Sequence, residues 1–216
     1  MNGQTTAACA GRAAYDTVKR SLFADLRGTV LEIGAGSGAN FGLLPGQVRW
    51  VGLEPVRRRR RRLARGHAGL VLAGVGERIP LRDRSVDAVI STIVLCSVRD
   101  QDRVLAEVRR VLRPGGAFVF CEHVAAPRGT RARRWQRALA PWSRRFDAGC
   151  DPSRETWLAI DRAGFAQVEL DWFTLPPKWS VYNPCIAGRA VTLRPGTSQW
   201  PIVDYLAEAL EVAEPA

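Results

Sequence analysis

The chemistry of this chain is densest between Thr29 and Phe41, where an apolar run (Val30, Leu31, Ile33) opens into Gly34-Ala35-Gly36-Ser37-Gly38-Ala39. An apolar strand that ends in closely spaced glycines turns sharply and leaves backbone N–H groups bare for a ligand. A side chain at those positions would collide with the ligand. Glu32 stands two positions before the first glycine, and Glu54 closes a second apolar run, Trp50 to Leu53. At the end of that run Glu54 can accept both hydroxyls of a ribose or, alternatively, cap a surface helix. The arrangement suits a nucleotide-like cofactor. Gly34, Gly36 and Ala39 also satisfy the dinucleotide fingerprint, with Glu54 at the acidic distance, so a nicotinamide oxidoreductase stays open, although no second mononucleotide half follows.

The chain has two histidines, and they differ in setting: His123 follows the apolar run Ala117 to Cys121, whereas His67 lies in an arginine-rich segment. His123 reads either as a general base or as a structural histidine tied to a carbonyl. Cys96 and Ser97 follow another apolar run, Val86 to Thr92; Cys96 reads as a substrate contact or as a small buried side chain. Glu122 reads as the group that orients His123. The five cysteines (Cys9, Cys96, Cys121, Cys150, Cys185) are widely spaced, without CxxC pairs or histidines at zinc spacing. A reducing cytoplasm and no metal are expected.

The elements that must position these residues alternate along the chain. Strands are expected at Thr29–Ile33, Val48–Leu53, Leu70–Ala73, Val86–Thr92, Ala117–Cys121, Val168–Phe173 and Ile186–Leu193. Helices are expected at Val18–Leu26, from Phe41 onward, after Glu54-Pro55, from Asp100 to the Arg113-Pro-Gly-Gly116 stop, and over Pro152–Gly164. Such alternation predicts a Rossmann-like, doubly wound, mostly parallel sheet whose ligand lies beyond the carboxyl ends of the strands. With 216 residues, 46% of them hydrophobic, one domain is expected, and no apolar run is long enough to cross a bilayer. A net charge of +11 invites a nucleic-acid reading. Its main source, Arg57 to Arg62, would however point all round a helix, which favours a solvated face over an RNA-binding patch.

Glu32-Ile-Gly-Ala-Gly-Ser-Gly, Gly52-Leu-Glu54-Pro, Gly76-Glu77, Asp83-Arg-Ser-Val-Asp87 and Val111-Leu-Arg-Pro-Gly-Gly116, in this order, resemble the class I S-adenosylmethionine-dependent methyltransferases. The resemblance implies seven strands, the last antiparallel and reached by a hairpin, and S-adenosyl-L-methionine as cofactor. The donor contacts expected on these grounds come from Glu32, Gly34, Ala35, Gly36, Gly38, Asn40, Glu54, Pro55, Gly76, Glu77 and Thr92, with Glu77 near the adenine or otherwise an exposed turn residue. Cys96, Ser97 and His123 are the expected catalytic residues. From about Lys19 to Val191 a narrower set, Thr92-Ile-Val-Leu-Cys-Ser-Val98, Glu107 to Gly116, Glu122-His-Val-Ala125 and Arg154-Glu-Thr-Trp157, is similar to the methyltransferase-like 7 group, the alkyl thiol S-methyltransferases. That resemblance implies a small, largely apolar thiol as acceptor, with O- or C-methylation in natural-product assembly as the alternative on the same scaffold. Animal members begin with a hydrophobic anchor, whereas the start of this chain is polar and alanine-rich, and their Asp-Gly-Cys reads Asp147-Ala-Gly-Cys150 here.

The expected domain covers 1–196, with an N-terminal helix or lid over 1–27, a basic aromatic insertion over 127–150, and a tail or short acidic helix over 197–216. Trp135, Leu139, Trp142 and Phe146 recur at helical spacing opposite several arginines, as core packing, as a pocket lid, or as a weak membrane-surface contact. The substrate wall is expected from Tyr15, Trp135, Trp142, Phe146, Trp179 and Tyr182, with Pro141 kinking the helix.

Overall fold

The computed structural model describes residues 3–175, 177 and 180–194, with side chains from Ala13 onward. Trp179 and the expected acidic helix near the C-terminus lie outside the described residues. The elements run α1 (Gly3–Phe23), β1 (Thr29–Ile33), β2 (Arg49–Leu53), α2 (Arg57–Gly66), β3 (Leu70–Leu72), β4 (Val86–Thr92), α3 (Gln101–Val111), β5 (Leu112–His123), α4 (Arg131–Phe146), α5 (Thr156–Arg162), β6 (Gln167–Phe173) and β7 (Cys185–Val191). One seven-stranded sheet has the order β3-β2-β1-β4-β5-β7-β6. Strands β1 to β5 are parallel, and β7 runs antiparallel to both β5 and β6.

Alternation along the strands builds two buried faces. Leu31, Ile33, Val89, Phe118 and Phe120 join Val104, Leu105 and Val108 of α3 and Ile160 of α5 on one side. Val30, Ala88, Ile90 and Val119 meet Phe23 and Leu26 on the other. The order reverses at β1 and β4, so the crevice between their carboxyl ends is the switch point where ligands of doubly wound sheets bind.

Local differences from the expected elements have local causes. The helix expected from Phe41 is a single 3-10 turn, Phe41–Leu43, because Gly42, Pro45 and Gly46 interrupt any longer run. The helix expected from Pro152 begins only at Thr156, since Asp151 accepts from Ser153 and folds the preceding residues into a turn. Arg113-Pro-Gly-Gly116 does end α3, yet the chain rejoins the sheet at once: Leu112 pairs with Val86 and Ala117 with Ala88, so the intervening residues bulge. Asp100 caps α3 as expected, accepting from the Arg103 N–H.

Candidate active site at the carboxyl edge of the sheet

The turn after β1 is held open by glycine. Gly34, Gly36 and Gly38 have φ of 62°, 57° and 79°, in the left-handed region that favours glycine. A Cβ on Gly34 would lie 2.7 Å from a Val94 methyl, and one on Gly38 2.5 Å from the His67 ring. On Gly36 it would meet only the Gly34 carbonyl, at 3.6 Å, so the middle glycine faces free space. Glu54 fixes this turn from β2: its carboxylate accepts from Gly36 N–H at 2.9 Å and Val56 N–H at 2.8 Å. His67, from the arginine-rich segment, walls the turn from behind and packs edge-on against Phe41 with ring centres 4.8 Å apart.

Beneath the turn lies a buried polar network. Asn40 donates to Glu32 at 2.8 Å and to the Thr92 hydroxyl at 2.7 Å, and it accepts from the Lys19 ammonium at 3.0 Å. The second oxygen of Glu32 accepts from the Trp50 indole at 2.7 Å. Glu32 therefore braces Asn40 from below instead of facing the crevice. Burial pushes its pKa up to about 7 against the pull of the Trp50 and Asn40 hydrogen bonds and the Lys19 charge. Lys19 and Trp50 carry no motif of their own, and only the fold reveals their part. Ala35 and Thr92 border the turn, and Pro55 is exposed at its rim. Further out, Glu77 accepts from the Arg99 N–H at 2.8 Å, and a Cβ on Gly76 would crowd Val104.

A second cluster gathers beyond β4 and β5. Cys96, His123 and Cys150 are all buried, and the Cys150 sulfur lies 3.2 Å from His123 Nε2. The Ser97 hydroxyl is 3.4 Å from the Cys96 sulfur. The hydrogen bond from Cys150, then burial, raises the Cys96 pKa far above that of an ordinary thiol. Burial lowers the His123 pKa, but the Cys96 sulfur and neighbouring carboxylates outweigh it and the net shift is upward. Cys150 was legible only as a displaced Asp-Gly-Cys; its place beside His123 follows from Asp151 N–H donating to the Cys96 carbonyl at 3.0 Å.

Two expected roles need correction. Glu122 does not orient His123: its carboxylate accepts from the Ser91 hydroxyl at 2.6 Å and from the Val94 and Leu95 N–H groups, so it pins the bend after β4. At that bend Ile93 has φ of 54°, strain of the kind that collects at functional sites. The aromatic stripe of α4 is not core, because Trp135, Trp142 and Phe146 are 66%, 66% and 73% exposed. The helix docks through Gln136 and Ala140 instead. Gln136 accepts from Ala126 N–H and donates to the carbonyls of Val124, Val181 and Asn183. Tyr15 and Tyr182 do lie at the edge: Tyr15 donates to the Cys121 carbonyl at 2.6 Å, and the Tyr182 ring is 5.2 Å from His123.

These features fit S-adenosylmethionine. The N–H groups of Ala35, Gly36 and Gly38 are already taken by the Leu53 carbonyl, Glu54 and the Ala35 carbonyl, so it is the open face of Gly36 that can receive its amino-acid end, while Glu54, at the tip of β2, can receive its sugar.

A methyltransferase-domain family model matches residues 31–120. The chain is 39% identical over 192 residues to the thiol S-methyltransferase TMT1B of Rattus norvegicus, covering 82% of this chain and 79% of that one. It is 40% identical over 190 residues to the thiol S-methyltransferase TMT1A of Homo sapiens, covering 80% and 78%. Among solved structures, a SAM-dependent methyltransferase from Thermotoga maritima superposes with a TM-score of 0.64 at 23% identity, covering 88% of this chain and 95% of that one. A geranyl diphosphate methyltransferase in complex with GPP and sinefungin superposes at 0.67 and 15% identity, covering 84% and 77%. Those two likenesses show the fold. The sequence relatives go further: the chain belongs to the thiol S-methyltransferase family of S-adenosylmethionine-dependent methyltransferases.

Proposed function

We propose that this enzyme moves the methyl of S-adenosylmethionine to the sulfur of a small, largely apolar thiol. The observation that carries the reading is the match to named thiol S-methyltransferases over 79% of their length. The cluster supports it, because the Leu-Cys-Ser and Glu-His-Val-Ala elements and Cys150 meet at the carboxyl ends of β4 and β5. When bound, the donor supplies a methyl already made electrophilic by its sulfonium. The protein must therefore align a nucleophile and exclude water, and alignment alone can contribute several kcal/mol. The glycine turn and Glu54 hold the donor, Asn40 and Lys19 stiffen that cradle, and α1 covers the edge through Tyr15. Cys96, Ser97, His123 and Cys150 are the polar groups available to the acceptor sulfur. The free thiols of Cys96, Cys121, Cys150 and Cys185 fit a reducing compartment.

The test is a labelled-donor assay with matched thiols, phenols and carbon acids. Methyl found on sulfur supports the reading; transfer to oxygen or carbon alone overturns it. Five of the six arginines from Arg57 to Arg62 are exposed on α2, so any tRNA binding should vanish at physiological salt.

A further inference from the structure

Outside the donor cradle the least explained feature is the group Cys96, His123 and Cys150. Their ligand atoms all lie within 4.8 Å of one another, and all three residues are buried. In a tetrahedral zinc site with the usual bond lengths, a histidine nitrogen and a thiolate sulfur sit about 3.6 Å apart and two sulfurs about 3.8 Å apart. The Nε2 to Cys150 distance, 3.2 Å, needs only a small adjustment. Sequence spacing hid this group, since its three donors come from the loop after β4, the end of β5 and the loop after α4.

We propose that Cys96, His123 and Cys150 form a three-donor site for a zinc-class divalent cation, whose fourth position takes the acceptor thiol as its thiolate. Four features of the group support it. Two sulfurs and an imidazole without a carboxylate form a soft donor set, which selects zinc over magnesium or calcium. The donors are held by backbone, not by chance packing: Asp151 N–H donates to the Cys96 carbonyl, Cys150 N–H to the Asp147 carbonyl, and Val124 N–H, beside His123, to the Pro184 carbonyl. A divalent ion on two thiolates is neutral overall, so burying it costs far less than burying a bare charge. No fourth histidine, cysteine or carboxylate joins the three among the described residues, and three protein ligands with one open position is the pattern of catalytic zinc. The neighbours of the group fit that use. Ser97 stands beside Cys96 half-buried, and Tyr182 beside His123 is partly exposed.

The chemistry balances without an oxidant. Loading releases the two cysteine protons to solvent as two S–metal bonds form. Binding the acceptor breaks its S–H bond, releases that proton to solvent and forms a third S–metal bond, which keeps the sulfur deprotonated at neutral pH. The thiolate half of the proposal rests on the thiol reading above; the metal half does not.

The test uses the full chain, dialysed against Zn(II) or Co(II) and then against buffer without chelator. About one equivalent of metal per chain is expected by elemental analysis, with the strong visible absorption of tetrahedral thiolate-bound Co(II). Cys150→Ala and Cys96→Ser should lose both signals while keeping the far-ultraviolet circular dichroism of the parent, and Cys185→Ala, a buried cysteine outside the cluster, should keep both. Folded parent with less than about a tenth of an equivalent, or stoichiometry unchanged in Cys150→Ala, overturns the site. Should a variant unfold, the parent's Co(II) spectrum still decides. Adding butanethiol, but not butanol, should shift that spectrum; an unmoved spectrum overturns the thiolate half. The labelled-donor assay scores S-methylation separately, so the two readings fail independently.

Discussion

At the residue scale, two buried carboxylates divide the work of the cradle. Glu54 holds the Gly36 and Val56 N–H groups and, on the proposed reading, takes the donor's sugar, so Glu54→Gln, which keeps the shape and loses one acceptor, should weaken S-adenosylhomocysteine binding at least tenfold, or about 1.4 kcal/mol, by calorimetry. A change under twofold would remove Glu54 from the donor site. Glu32 acts through its own burial. Its pKa rises on folding from the ordinary 4.5 to about 7, so the folded state binds its proton more tightly than the unfolded chain does. That share of stability is fully present below pH about 4.5 and is lost as pH rises through about 7; the whole shift corresponds to about 3 kcal/mol. In urea titrations between pH 5 and 8 the parent should therefore lose stability relative to Glu32→Gln as pH rises. A difference that stays flat would assign the slope to other groups.

At the element scale, α4 shows how a pattern can be read correctly and placed wrongly. Trp135, Leu139, Trp142 and Phe146 do share a helix face, but apolar periodicity does not say which face docks when a polar residue has better partners. Gln136 meets one donor and three carbonyls and turns the helix so that the aromatics face outward. Gln136→Leu leaves those four backbone groups without their side-chain partner and should cost about 2–4 kcal/mol by denaturation, whereas Trp142→Ala should stay within about 0.5 kcal/mol. Equal costs would mean that the stripe packs after all. Strands β1 and β4 and the Asp100 cap were legible because short apolar runs bounded by turn residues, and capping residues, are local signals. The missing helix after Phe41 had its signal too, in Gly42, Pro45 and Gly46, but the regular alternation of elements masked it. Lys19 had none and Cys150 only a displaced Asp-Gly-Cys, because each reaches its partner only through the folded chain.

At the scale of the whole molecule, α1 ties together the two halves of the edge. Lys19 donates into the donor cradle through Asn40, and Tyr15, one turn earlier, donates to the Cys121 carbonyl on β5 and stacks on Phe173 of β6. The two ties should have different consequences. Without its ammonium, Lys19→Met leaves the Asn40 oxygen without its donor and frees an amide that also braces Glu32 and Thr92, so donor affinity should fall severalfold. Tyr15→Phe removes only one hydrogen bond, and the Cys121 carbonyl keeps the Ile93 N–H as donor, so stability should drop by about 1 kcal/mol or less with donor affinity unchanged. Paired calorimetry and thermal unfolding on the two variants separate these outcomes. If both lost affinity equally, α1 would act on the donor as one rigid cover; if neither did, the cradle would stand without it, and the helix would belong to the acceptor side of the edge.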